Sequence, residues 1–161
     1  MNDPIDVVQA DLMSAEAQAL IGALNAELAA MYPEPGANHF RLDPDEVSEG
    51  RGVFLVAWRG STPIGCGALR RIDDGVGEIK RMFSIPEQRG RGVGRAILEA
   101  LEAHAAKLGI TRIVLETGTR QSAAVGLYRR AGFIPIPPYG EYIATAETSL
   151  CMAKDFAQND K

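Results

Sequence analysis

From Pro86 to Leu98 the chain reads Pro-Glu-Gln-Arg-Gly-Arg-Gly-Val-Gly-Arg-Ala-Ile-Leu, where an extended run ends, three alternate glycines follow and a helical pattern begins. Gly90, Gly92 and Gly94 carry no Cβ, so the turn is free to adopt positive φ and its N–H groups can come close to a ligand. A helix starting near Gly92 adds unpaired N–H groups and the positive end of its dipole, a setting for a phosphate or diphosphate. Arg89, Arg91 and Arg95 surround it with cations. Such charge at a helix start is unfavourable without an anion, which favours binding over a merely solvated role.

Spacing narrows the ligand. The Walker pattern needs Gly-Lys followed by Ser or Thr, and no lysine stands here. The dinucleotide fingerprint needs a glycine where this chain has Arg95. What remains is Arg89-x-x-Gly92-x-Gly94 after the extended run Glu78 to Pro86.

The surrounding pattern supplies the frame. Ile5 to Ala10 reads as a strand, and Ser14 as the N-cap of a helix reaching about Met31, with Leu20, Ile21, Leu24 and Leu28 as its apolar stripe. Two prolines and a glycine then break the chain from Tyr32 to Phe40, before a short helical turn at Pro44 to Ser48. Val53–Trp58, Ile64–Arg71 and Glu78–Ile85 read as strands joined by hairpin-like turns, which makes three antiparallel neighbours. The helix from Gly92 to Lys107 turns Val93, Ile97, Leu98, Leu101, Ala105 and Leu108 to one side. A strand at Thr111–Thr117 and a helix at Ser122–Ala131 follow, and this order implies a right-handed crossover with a central parallel pair. Phe133–Ile136 and Thr148–Lys154 complete the strands.

The Arg89-x-x-Gly92-x-Gly94 loop resembles the acetyl-CoA-binding motif of the GNAT superfamily of N-acetyltransferases, and Ala124-Val125-Gly126-Leu127-Tyr128-Arg129-Arg130-Ala131-Gly132-Phe133 resembles that superfamily's second hallmark. Together they cover most of the chain from Val53 to Lys154. The resemblance implies an α/β (α+β) fold: a mixed, mostly antiparallel twisted sheet with a central parallel strand pair, flanked by helices, over a single domain spanning 1–161. It also implies that Arg89, Gly90, Arg91, Gly92, Val93, Gly94 and Arg95 hold the diphosphate of acetyl-CoA. Met82, Phe83 and Ser84 would act through their backbone, beside a bulge that splays two strands to admit pantetheine. One departure is Gln121, seven residues before Tyr128, where the family often has Asn; that side-chain contact is not carried over.

Acetylating an amine requires a neutral amine, a polarised carbonyl and a proton for the departing thiolate. The resemblance makes Tyr128 the general acid, and a phenol with a pKa of about 10 stays protonated to serve a thiol with a pKa near 8.5. The bland alternative is a core aromatic beside Ala124 and Ala131. Glu78 matches the place of a general base in several members, acting through water; the alternative is a solvated strand-end glutamate. In this fold the connection after the first helix borders the acceptor, so Tyr32, Glu34 and His39 are candidate contacts, or else only cover the core. Acidic Glu34, Glu141 and Glu147 favour a cationic small amine or a lysine side chain as acceptor, unless they are simply solvated.

Composition excludes other classes. A formal net charge of −4 argues against a general nucleic-acid binder, and no apolar run approaches a membrane span. Met1-Asn2-Asp3-Pro4 lacks the start of a signal peptide, so a cytoplasmic location is expected. Cys66 and Cys151 lie far apart in apolar runs and read as buried thiols. His39 and His104 have no partners at metal spacing, so no metal is expected and both read as surface or packing residues. Ser61, Ser84, Ser122 and Ser149 lack a nucleophile-elbow context, which favours direct transfer over a covalent enzyme intermediate. Family members often dimerise, with the final strands as the expected place. An acyl-CoA-binding sensor without turnover, or a partner-binding module, is the rival use of the fold.

Overall fold

The sheet is built outward from short-range antiparallel pairs. The structure, a computed structural model, describes residues 3–39 and 41–156. Met1, Asn2, Phe40 and the stretch after residue 156, which the sequence expectations include, lie outside the described residues. Strands β1 (Ile5–Gln9), β2 (Gly52–Arg59), β3 (Thr62–Asp73) and β4 (Val76–Ser84) pair antiparallel in that order. The crossover helix α2 (Val93–Lys107) then carries the chain to β5 (Arg112–Gly118), which lies parallel to β4. Helix α3 (Ser122–Arg130) leads to β6 (Ile134–Ile136) and β7 (Ser149–Asp155), and β7 inserts between β5 and β6 to complete a seven-stranded sheet.

Helices cover both faces. On one, Ile97, Leu98 and Leu101 of α2 pack with Leu69, Ile79, Ile113 and Leu115 of the sheet. On the other, helix α1 (Ala15–Met31) buries Leu20 and Leu24 against Phe54, Val56, Ala68 and Phe83. Ser14 caps α1 as expected, its hydroxyl accepting from the Ala17 N–H at 3.3 Å. Cys66 and Cys151 are free and buried. Among the described residues no helix is long and apolar enough to cross a membrane. Ile134 on edge strand β6 and Ile143 in the connection from β6 to β7 are 64% and 65% exposed.

The segment from Pro137 to Glu147 connects β6 to β7. It is not an irregular loop throughout but contains a 3₁₀ turn at Gly140–Thr145, with Tyr142 buried. Its sequence lacks a clear apolar period, and side-chain contacts hold the turn instead, Tyr142 to Glu78 of β4 and Thr145 to His39 and to Ser149 of β7.

Candidate active site

The site begins where β4 stops pairing with β5. Val76–Ile79 run beside Arg112–Leu115, and Ile79 with Leu115 is the last pair. Opposite β3 the register slips between Cys66 and Ala68, where three steps of β4 face two of β3. Arg81 sits in this bulge with φ +60°, the one non-glycine at positive φ among the described residues. The sequence of β3 accommodates it. A Cβ at Gly65 would meet the Phe83 carbonyl oxygen at 2.6 Å, and one at Gly67 would meet Met82 Sδ and Ile97 Cγ2 at 2.7 Å. Between them the Cys66 thiol donates to the Arg81 carbonyl at 3.2 Å.

Past the split a cleft of about 1090 Å³ opens between α1, β4, β5 and α3. Met82, Phe83 and Ser84 line it, and so do Arg89, Gly90, Gly92, Val93, Gly94 and Arg95. Arg91 is exposed and does not line it. Gly90 and Gly92 have φ +79° and +85° with open space around a notional Cβ, as a ligand-approach turn requires. Gly94 is bare for another reason: a Cβ there would meet Leu127 Cδ2 at 2.9 Å, so it lets α2 close onto α3. Gly92 is the N-cap of α2, with no side-chain cap and no acid in the first turn, so its leading N–H groups face the cleft without an internal anion. Arg89 donates to the Ser84 carbonyl at 3.1 Å and pairs with Glu27 at 2.8 Å, which fixes the loop to β4 and α1. A bare turn, an uncapped helix start and a split sheet together fit a long diphosphate-bearing ligand of the acetyl-CoA type.

Tyr128 lines the cleft and is 5% exposed, packed edge-on to Phe133 at 5.9 Å. Burial, with the charge of Glu116 beside it, raises its pKa well above the ordinary phenol value. The hydroxyl therefore keeps its proton at neutral pH.

Glu78 is 1% exposed but is not part of the cleft wall. Both of its oxygens are engaged: Arg70 donates to Oε1 through Nε at 2.8 Å, while the Tyr139 and Tyr142 hydroxyls donate to Oε2 at 2.5 and 3.0 Å. Arg70 also pairs with Glu46. Glu27, Glu99, Glu102 and Glu116 line the cleft; the first three pair with Arg89, Arg95 and Lys154, and Glu116 lies on β5. Its pKa is raised chiefly by burial, against an opposing hydrogen bond from Ser149 and the charges of His39 and Lys80. Sequence patterning passes over Glu116 because it is one charged residue in an otherwise buried strand. Its alternation with Leu115, which faces α2, was the available signal.

From Glu116 a chain of polar contacts leads outward. Ser149 Oγ lies 2.9 Å from Thr145 Oγ1, Thr145 Oγ1 lies 3.0 Å from His39 Nε2, and His39 Nδ1 lies 2.9 Å from Glu141 Oε1. Glu141 is about half exposed. His39 thus joins the site rather than only the surface. Two of the loop acids have internal partners, His39 for Glu141 and Arg120 for Glu34, and the Arg120 guanidinium holds the Glu34 carboxyl down at about 2. Tyr32 is 3% exposed and accepts from the Arg120 backbone N–H at 2.7 Å, and Gln121 turns its side chain to the same hydroxyl. Among the described residues no cluster of His, Cys, Asp and Glu is arranged to hold a metal.

Known proteins share the sequence pattern and the fold. The sequence profile of the Acetyltransferase (GNAT) family matches residues 18–133. An IAA acetyltransferase of Azospirillum brasilense is 40% identical over 124 residues, 76% of this chain and 80% of that protein. A solved structure from Klebsiella pneumoniae, named as an acyl-CoA N-acyltransferase, superposes with a TM-score of 0.79 at 29% identity, covering 95% of this chain and 98% of that one. The PaiA N-acetyltransferase of Thermoplasma acidophilum, solved in complex with coenzyme A, shares the fold with a TM-score of 0.70 at 19% identity, covering 95% and 99% of the two chains.

Proposed function

The chain belongs to the GNAT family of acetyltransferases, and from that premise we propose that it transfers the acetyl group of acetyl-CoA to a primary amine, directly, within a ternary complex. The observation that carries the reading is the cleft beyond the Ile79–Leu115 pair, which gathers the uncapped start of α2, the neutral phenol of Tyr128 and the carboxyl of Glu116. The leading N–H groups of α2, with Gly90 and Gly92, suit the diphosphate, and the backbone of Met82, Phe83 and Ser84 suits the pantetheine arm. When bound, acetyl-CoA supplies a carbonyl carbon activated by its thioester.

The chain's own groups manage the protons. Glu116 takes a proton from the amine, because a protonated amine has no lone pair to attack with. Its raised pKa brings it nearer the working pH than a solvated carboxylate. Ser149, Thr145 and His39 form a route by which that proton reaches Glu141 and water. Tyr128 holds the proton that the leaving thiolate requires. Glu78 carries a different task here: with Arg70 and the two tyrosines it fixes the turn at Gly140–Thr145 over the acceptor end.

The test is release of free CoA thiol from acetyl-CoA across amino acids, polyamines, aminoglycosides, arylamines and lysine peptides. Amine-dependent release is the expected result. Binding of acetyl-CoA with no release for any amine would move the assignment to a non-catalytic acyl-CoA sensor.

A further inference from the structure

A buried cation stands where the sheet opens. Lys80 follows Ile79, the last β4 residue paired to β5, and precedes Arg81 of the bulge. Ile79 and Leu115 pack beneath α2, so their neighbours Lys80 and Glu116 take the opposite face, the one that also carries Glu78. Lys80 lines the cleft, its side chain is only 5% exposed, and among the described residues its Nζ has no hydrogen-bond partner. An anionic oxygen, Glu141 Oε2, stands 4.0 Å away and belongs to a carboxylate already engaged by His39. Glu78, a second close acid, is saturated by Arg70, Tyr139 and Tyr142.

An ammonium with N–H donors unmet inside a protein carries a desolvation cost that a ligand's acceptor can relieve. Burial accordingly lowers the Lys80 pKa, assisted by Arg70 and Arg81 and opposed by Glu78 and Glu141. A ligand carboxylate would bring the missing acceptor. Glu78, Glu116 and Glu141 lie near Lys80, as do Arg70 and Arg81, so a singly charged carboxylate fits better than a phosphate dianion.

We propose that Lys80 receives a carboxylate of the acetyl acceptor, so that the acceptor class is small amino carboxylates, the amine lying toward Glu116 on β5 and the carboxylate toward Lys80 on β4. The inference rests on the acetyl-transfer reading for the fate of the amine, but not for binding.

The test is calorimetric binding to the full chain with CoA present, so that no transfer takes place. Matched pairs serve as probes: L-phenylalanine against phenethylamine, L-leucine against isoamylamine, and each amino acid against its amide. The carboxylate-bearing member of at least one pair should bind about tenfold more tightly. Lys80→Met should remove that preference while leaving the decarboxylated amine within about twofold, and Lys80→Arg should retain part of it. Equal binding of acids and amines by the parent, or binding by neither, overturns the proposal without need of a variant. Equal weakening of both members in Lys80→Met also overturns it. A carboxylate preference without any CoA release on adding acetyl-CoA sustains the Lys80 site and defeats the transfer reading instead.

Discussion

The Cys66 thiol donates to the carbonyl of Arg81, 3.2 Å away, and so ties the glycine-flanked middle of β3 to the residue at which β4 bulges. Burial pushes the Cys66 pKa up to about 12, so the thiol remains a donor throughout the neutral range. The bulge is therefore supported from the neighbouring strand, and the cleft depends on residues that never touch a ligand.

Gly65→Ala tests that dependence. Its Cβ would meet the Phe83 carbonyl oxygen at 2.6 Å, a backbone atom that cannot swing away. Urea unfolding should show a loss of about 1–3 kcal/mol, the usual cost of overpacking. Acetyl-CoA affinity should fall with it, because Phe83 is part of the cleft.

Tyr128→Phe removes a hydroxyl and preserves the packing against Phe133. Acetyl-CoA binding should remain within a few-fold of the parent, while kcat falls by about a hundredfold or more, the range for loss of general acid catalysis. Unchanged turnover would leave Tyr128 as a core aromatic alone.

Glu116 and Glu78 are separated by their variants. Because the Glu116 pKa is raised, the folded state holds that proton more tightly than the unfolded chain does. Its contribution to stability is thus present at low pH and is lost as pH rises through the raised value. Glu116→Gln should raise Tm relative to the parent at neutral pH and above, and should abolish the acidic limb of the kcat/KM profile along with most of the activity. Glu78→Gln should instead lower stability, by about 1.5–3 kcal/mol, because Arg70 loses one charged partner and keeps Glu46. Its residual activity should keep the parent's acidic limb. A Glu78→Gln profile without that limb would return the base to β4.

His39→Ala interrupts the path from Glu116 to Glu141. Turnover should fall severalfold with the KM for acetyl-CoA unchanged, and imidazole added to the assay should restore part of the rate. Loss of rate that imidazole leaves untouched would make His39 a packing residue.

Much of this was legible in sequence because it is local. Ser14 announces α1, the stripe through Ile97 and Leu101 announces α2, and the alternate glycines announce the turn at its start. Gly90 and Gly92 have the positive φ that their spacing implied, whereas Gly94 is explained by a contact with Leu127 on another helix. The bulge was expected only by resemblance, since Arg81 at φ +60° breaks the preference of its own residue type and is held by Cys66 and Asn25. That Glu116 lines the cleft while Glu78 does not needed the third dimension. Whether a strand carboxylate faces the cleft or an arginine depends on Arg70, Tyr139 and Tyr142, which lie 8, 61 and 64 residues from Glu78 along the chain. His39 likewise meets Glu141 and Thr145 across more than a hundred residues, 102 and 106 respectively, a separation that no local pattern encodes.

The most direct test of the central claim is the rate of CoA thiol release by the parent, Tyr128→Phe and Glu116→Gln chains, each saturated with acetyl-CoA and given the same amine. Amine-dependent release by the parent, and loss of it in both variants with acetyl-CoA affinity retained, is the expected result. Release that is equal in all three, or absent in the parent while acetyl-CoA binds, would contradict it.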